Sequence, residues 1–248
     1  MTLTIFDTGT SPPDQVSDHG VQIIHRPALT RRGIEVDREH LSSVLQTPSH
    51  LVFYSQFAVR QTIEQRLIAR PGDHHFWAVG SHTGGLLASH FGVTPHVPDA
   101  SHFQALKDRL LERGPTLPLV SFGLRGKRRD LSALAATWQV NWTCIDIYAS
   151  TPADPATLRR AFDDHRPQWL TLTSSRGVQS VVDAIGTSAL HRARDKRGLR
   201  FAAIGPSTAA TASELGLAID LVPESTGRQR LIEAVIDHSA TTDPPSRP

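Results

Sequence analysis

"FAAIGPSTAATASELGLAIDLVPES", Phe201 to Ser225, repeats in outline an earlier stretch, "FWAVGSHTGGLLASHFGVTPHVPDA", Phe76 to Ala100. Each copy runs from an apolar stretch through a Gly, a pair of small or polar residues, a Thr, an Ala/Leu-rich segment, a second Gly and Val-Pro. Phe76 and Phe201, Gly80 and Gly205, Thr83 and Thr208, and Pro98 and Pro223 all stand 125 positions apart. Upstream, "LVFYSQFAVRQTIEQRL" (51–67) aligns with "LTLTSSRGVQSVVDAI" (170–185), pairing Ser55 with Ser174 and Val59 with Val178 at a spacing of 119. The additional segment "GTSALHRARDKRG" after Ile185 accounts for the wider spacing of the later pair. A structural unit is therefore duplicated, and each copy holds two junctions rich in small or hydroxylated residues.

Working outward from these copies, short apolar runs alternate with segments of helical period. "LTIFD" (3–7), "VQIIH" (21–25), "HLVFYS" (50–55), "HFWAVG" (75–80), "LPLVSFG" (117–123), "WTCIDIY" (142–148), "QWLTLTS" (168–174) and "RFAAIG" (200–205) read as strands. Between them, "AVRQTIEQRLIA", "TGGLLASHF", "QALKDRLLERG", "KRRDLSALAATW", "GVQSVVDAIG" and "TAATASEL" carry apolar residues at three and four spacing. Short, continuously apolar strands alternating with amphipathic helices predict an α/β fold of parallel sheets flanked by helices. The duplication predicts two similar lobes.

Composition narrows the function classes. The 248 residues, 39% hydrophobic, suffice for one large or two ordinary domains. No apolar run approaches the roughly 18 residues of a membrane span, and "MTLTIFDTGTSPPD" has neither a basic leader nor a long apolar core, so a cytoplasmic protein without membrane partners is expected. The net charge of +2 argues against a nucleic-acid partner. Lys107, Lys127 and Lys196 are the only lysines among 26 basic residues, so the positive charge is carried by Arg, whose planar fork pairs with carboxylates or phosphates. Cys144 has no second thiol to pair with and reads as core, and the 13 His residues show no metal-ligand spacing; His74, His75 and His82 read as loop residues. No metal site is expected.

The junctions suggest the ligand chemistry. In "IGPST", Gly205 permits a sharp exit from the strand, Pro206 presets the backbone, and Ser207 or Thr208 is placed to cap the helix. First-turn N–H groups left unpaired, together with the helix dipole, attract an anion. "VGSHT" offers Gly80, Ser81 and Thr83 in the same way, and "TSSRGV" offers Ser174, Ser175, Arg176 and Gly177. Each alone is accounted for as an ordinary N-cap. Four such junctions in two copies point to a polyanion held by both.

The series "TSSRGV", "IGPSTA", "ELGL" and "VPES", with the weaker first copy and "IDIYAST" between them, resembles the uroporphyrinogen-III synthase family. The resemblance implies two α/β lobes joined by a two-stranded connector. The first lobe would comprise residues 1–24 with 150–240 and the second 28–143, with connectors at about 21–30 and 144–151 and a disordered tail over 241–248. Repeat logic alone would instead divide the chain near Gly114. The resemblance further implies a monomeric, cofactor-free enzyme that closes the linear tetrapyrrole hydroxymethylbilane into uroporphyrinogen III, inverting the last pyrrole ring and losing water. The helix starts after Ser55, Gly80, Ser174 and Gly205, with Ser81, Thr83, Ser175, Arg176, Gly177, Ser207 and Thr208, would hold the substrate's carboxylates. Tyr148 matches the family's recurrent Tyr, whose phenol helps the hydroxyl depart.

The chain departs from the family at Asp7, Tyr54, Phe57 and Ser121, where a basic residue, Thr, Asn and the start of "PRG" are usual. The segment preceding "VQIIH" leaves room for only a short helix. A catalytically weak two-lobed binding or regulatory module for an anionic small molecule is the alternative. No dinucleotide or phosphate-binding glycine loop and no paired metal-binding carboxylates support a nucleotide enzyme.

Overall fold

A computed structural model describes residues 2–13, 20–114, 116–126, 130–225 and 227–242. The chain opens with β1 (Leu3–Asp7), β2 (Val21–His25), β3 (Leu29–Gly33) and α1 (Arg38–Val44). It then alternates through β4 (His50–Phe53), α2 (Gln56–Glu64), β5 (His75–Ala78), α3 (Ser81–Phe91), α4 (Phe103–Arg113), β6 (Leu119–Leu124), α5 (Ser132–Thr137) and β7 (Trp142–Pro152). The remainder comprises α6 (Pro155–His165), β8 (Trp169–Leu172), α7 (Ser175–Ile185), α8 (Thr187–Arg197), β9 (Arg200–Ala203), α9 (Pro206–Glu214) and α10 (Arg228–Thr242).

These elements form two compact units, Met1–Thr30 with Thr151–Pro248, and Arg31–Ser150. In the first, a four-stranded sheet has the order β2-β1-β8-β9, all pairs parallel. The period-2 alternation of strand side chains divides its core in two. Phe6, Leu170 and Phe201 face α6, α7 and α8 through Phe162, Val178, Val181 and Leu190. Ile5, Trp169 and Ala202 face Leu231, Ile232 and Val235 of α10. Because both faces are covered, the central strands are mostly apolar along both faces.

The second unit holds a five-stranded sheet of order β3-β7-β6-β4-β5, in which β4, β5, β6 and β7 pair in parallel. One face buries Phe53, Phe76 and Phe122 against Ala58, Val59 and Leu87 of α2 and α3, with the Phe53 and Phe122 rings stacked at 4.8 Å. The other buries Val52, Trp77 and Leu119 against α4 and α5. Each fully buried side chain of this size contributes about 1.5–3 kcal/mol.

Three expectations change here. The first connector is shorter than residues 21–30, because Val21–His25 pairs along its whole length with β1 and is a sheet strand. The crossings between units fall at Thr30/Arg31 and Ser150/Thr151, where the Thr30 and Thr151 hydroxyls lie 3.1 Å apart. At the C-terminus, α10 runs on to residue 242, because the Trp169 indole donates to Ser239 Oγ (2.9 Å) and Ser239 donates back to the Val235 carbonyl. The rest of the expected tail, 243–248, lies outside the described residues, as do residues 14–19 of the segment expected to hold a short helix. His75 opens β5 and His82 sits in the first turn of α3, so neither is a loop residue.

His50 gives the second unit a pH dependence. Trp77 Nε1 donates to its Nδ1 (2.9 Å), so that nitrogen must keep its lone pair, and the His75 ring stacks 5.1 Å away. Burial first, then the neighbouring His75 and His96, push its pKa from the ordinary 6.5 down to about 4. Between those values the unfolded chain takes up a proton that the folded chain refuses, so stability is complete above about pH 6.5 and declines as pH falls toward 4. Urea midpoints at about pH 7 and about pH 5 should differ accordingly. If His50→Gln left that difference intact, the acid sensitivity would belong to other groups. Among the described residues no helix is long and apolar enough to cross a membrane.

Candidate active site

In parallel α/β sheets the carboxyl ends of the strands form the ligand-binding edge. Both copies of the duplicated sequence place their junctions there. In the second unit, β4 runs into Ser55, whose extended backbone makes it the N-cap of α2 and whose Oγ accepts from the Ala58 N–H at 3.2 Å. In the first unit, β8 runs into Ser174, which caps α7 by accepting from the Gly177 N–H at 3.1 Å. The later junctions differ. Gly80 and Gly205 are the N-caps of α3 and α9, both fully extended (φ −168° and −179°), and neither helix has a side-chain cap. Each unit thus pairs one serine-capped helix with one whose first turn is left open to an external acceptor.

A Cβ at Gly80 would run into the Ser101 side chain, so the close approach of that segment requires glycine. Ser207 and Thr208 do not cap α9 as expected. A capping oxygen must come from the extended residue that precedes the helix, and these two already lie within its first turn. Ser81 and Ser207 are exposed, whereas Thr83 and Thr208 are buried against their own helices' cores. The hydroxyls available to a ligand at the glycine junctions are therefore the serines.

The Ser174 cap is expected to be the energetically important one. Ser174→Ala should cost about 0.5–2 kcal/mol, the range for a lost cap, and Ser207→Ala less than about 0.5 kcal/mol. Thermal unfolding of the two variants checks the order. Equal losses would mean that Ser207 has a partner of its own.

Within the second unit, the structure brings Tyr148 to the α2 start. Tyr148 lies on β7 and is 7% exposed; its hydroxyl is 3.3 Å from Ser55 Oγ, and the Phe57 ring meets it edge-on at 5.0 Å. Within the first unit, the Thr211 hydroxyl donates to Ser175 Oγ at 2.9 Å and so joins α9 to α7, bringing together the Ser174–Gly177 and Gly205–Thr208 groups. Arg176 is exposed on the first turn of α7, and Gly177 is buried, with room for a Cβ only 3.0 Å from Ser174 Oγ.

The departures Tyr54 and Ser121 are absorbed by packing: the Tyr54 ring meets Phe103 edge-on and Ser121 Oγ accepts from Trp142 Nε1 at 3.0 Å. Asp7 is different. It ends β1 with no solvent exposure, accepts from the Thr171 hydroxyl at 3.0 Å, pairs with the Arg228 guanidinium and lies 2.8 Å from His25 Nδ1. Sequence reasoning did not assemble this group, because Asp7, His25 and Arg228 are distant in the chain and only the β1–β2 pairing and the start of α10 unite them. The one sequence signal was an acid closing a mostly apolar strand. Among the described residues no group of three or more His, Cys, Asp or Glu is arranged to hold a metal ion.

Comparison with known proteins identifies the family. A family model described as "Uroporphyrinogen-III synthase HemD" matches residues 14–233. A uroporphyrinogen-III synthase of Chlorobaculum parvum is 28% identical over 158 residues, which span 60% of this chain and 60% of that relative. Two solved structures share the fold. A mutant uroporphyrinogen III synthase from the extremely thermophilic bacterium Thermus thermophilus has a TM-score of 0.57 at 17% identity, covering 98% of this chain and 100% of its own. The uroporphyrinogen-III synthetase of Helicobacter pylori has a TM-score of 0.64 at 11% identity, covering 96% and 100%. With the family model spanning most of its length and its parallel-sheet architecture shared with these structures, the chain belongs to the uroporphyrinogen-III synthase family.

Proposed function

We propose that the protein closes hydroxymethylbilane into uroporphyrinogen III, acting as a cytoplasmic monomer that needs no cofactor. The observation that carries this reading, in a chain of this family, is the repeated pair of helix starts at the strand ends, two of them without side-chain caps. The substrate is a linear chain of pyrroles bearing acetate and propionate groups, and N–H donors at helix starts suit such carboxylates. Ser55, Gly80, Ser81, Ser174, Ser175, Arg176, Gly177, Gly205 and Ser207 line these starts. Thr83 and Thr208 support them from beneath.

The chemistry required is modest. The electron-rich pyrrole expels the terminal hydroxyl readily, and the free compound closes by itself to the type I isomer. The enzyme's main task is to hold the chain so that a substituted carbon of the last ring attacks, and positioning of this kind supplies much of the rate. Tyr148 donates its proton to the departing hydroxyl, so that the C–O bond breaks with water as the leaving group, and the proton that the substrate loses once the new C–C bond has formed restores the phenol. Ser55, 3.3 Å from the phenol, orients it.

A binding module without turnover is the second reading, favoured by the near-complete burial of Tyr148 beside Phe57. Turnover of enzymatically generated hydroxymethylbilane, with the isomers separated by chromatography, decides between them. Type III product supports the synthase. Tight binding with only spontaneous type I product supports the module.

A further inference from the structure

Arg228 occupies a particular place in the first unit. It is the first residue of α10, and its guanidinium reaches the carboxyl end of β1, where Nε and Nη2 both engage Asp7. The guanidinium lies over the backbone at Gly9, where any Cβ would collide with it. Asp7 pairs in register with His25 of β2 and Thr171 of β8, so the cluster stands at the strand ends of the same sheet from which Ser174 and Gly205 start α7 and α9. Asp7 has no exposure and cannot meet a ligand, whereas the side chains of Arg228 and His25 are each 20% exposed.

We infer that Arg228 is a carboxylate-binding residue, with Asp7 as its anchor; the inference rests on the tetrapyrrole reading of this site. An arginine held by Nε and one Nη still presents the N–H groups of its other terminal nitrogen, in the planar geometry that carboxylates prefer. The bidentate anchor removes the rotamer freedom that a long basic side chain otherwise loses on binding. The helix starts offer partial charges and, at α7, the exposed Arg176. Arg228, though its charge is balanced by Asp7, adds oriented guanidinium N–H donors at that edge, and an acetate or propionate of the linear tetrapyrrole is the group it would take.

The test replaces the whole ion pair, since a neutral pair of similar shape leaves no buried charge behind. In Asp7→Asn/Arg228→Gln, KM for hydroxymethylbilane is expected to rise about 10- to 100-fold, the scale of one charge-assisted hydrogen bond, with kcat, isomer ratio and urea midpoint close to those of the wild type. The Kd for uroporphyrin III, followed by tryptophan fluorescence, should rise in parallel. A KM and Kd unchanged in the double variant, or a joint loss of kcat and stability, would overturn the assignment and leave the pair a purely structural tie. The synthase reading fails on a different result, a wild type that yields only the type I isomer.

Discussion

Tyr148→Phe is expected to lower the rate of uroporphyrinogen III formation by about 10- to 1000-fold, from below to the middle of the roughly 10²- to 10⁴-fold range for a general acid, while leaving the isomer ratio, corrected for spontaneous closure, unchanged. The reduction is limited because the pyrrole already activates the departing hydroxyl, so the phenol assists a step that proceeds without it. Selectivity survives because it depends on how the substrate is folded, which Tyr148 does not control. The fold survives because the Ser55 cap does not depend on the phenol: Ser55 Oγ still accepts from the Ala58 N–H at 3.2 Å. The buried ring, packed against Phe57, keeps all its carbon contacts in the variant. Steady-state rates with both isomers quantified provide the measurement. An undiminished rate would remove Tyr148 from the mechanism, and type I product in excess of the spontaneous background would make it a residue that positions the last ring.

Asp7→Ala is expected to destabilise the first unit by about 3 kcal/mol, at the lower end of the cost of removing one member of a buried ion pair. Asp7 is fully enclosed, so its loss deprives the Thr171 hydroxyl of its acceptor and the Arg228 guanidinium of its counter-ion together. The partial exposure of Arg228 admits some water to the stranded cation and keeps the loss from being larger. Urea unfolding of the variant checks this, and Arg228→Gln in the Asp7→Ala background should recover part of the loss by removing the stranded charge. A loss below about 1 kcal/mol would place the pair among surface salt bridges.

Much of the architecture is legible in the sequence because the strands are buried on both faces. Runs such as Leu51–Phe53 and Phe201–Ala203 are apolar at every position, and that requirement is local. The junctions are legible for a related reason: leaving a strand for a helix within two residues requires Gly or a capping Ser, and the duplication displays that requirement twice, at Ser55 with Ser174 and at Gly80 with Gly205. The elements missed include α1 and α6, whose Asp37 and Asp154 caps are local signals, and others whose pattern depends on distant partners. β3 carries Thr30, Arg31 and Arg32 and is a strand through its place beside β7. α8 has little amphipathic pattern and reads as an insertion, yet Leu190 and Ala193 bury it against the first core and Gly198, with φ 69°, turns it into β9. Helix α10 holds its last turns through Trp169, 70 residues from Ser239 in the chain.

What the sequence determined by itself was therefore the α/β class, the duplication and the chemistry of the four helix starts, all consequences of backbone geometry and burial within a few residues. The tertiary structure alone decided which residue caps each start, since Gly205 rather than Ser207 has the extended backbone that a cap needs. It alone set Ser55 beside Tyr148, 93 positions later, and Asp7 beside Arg228, 221 positions later. Charges and hydroxyls so far apart in the chain leave no periodic trace, because their meeting depends on strand order and register, and those follow from how whole sheets pack.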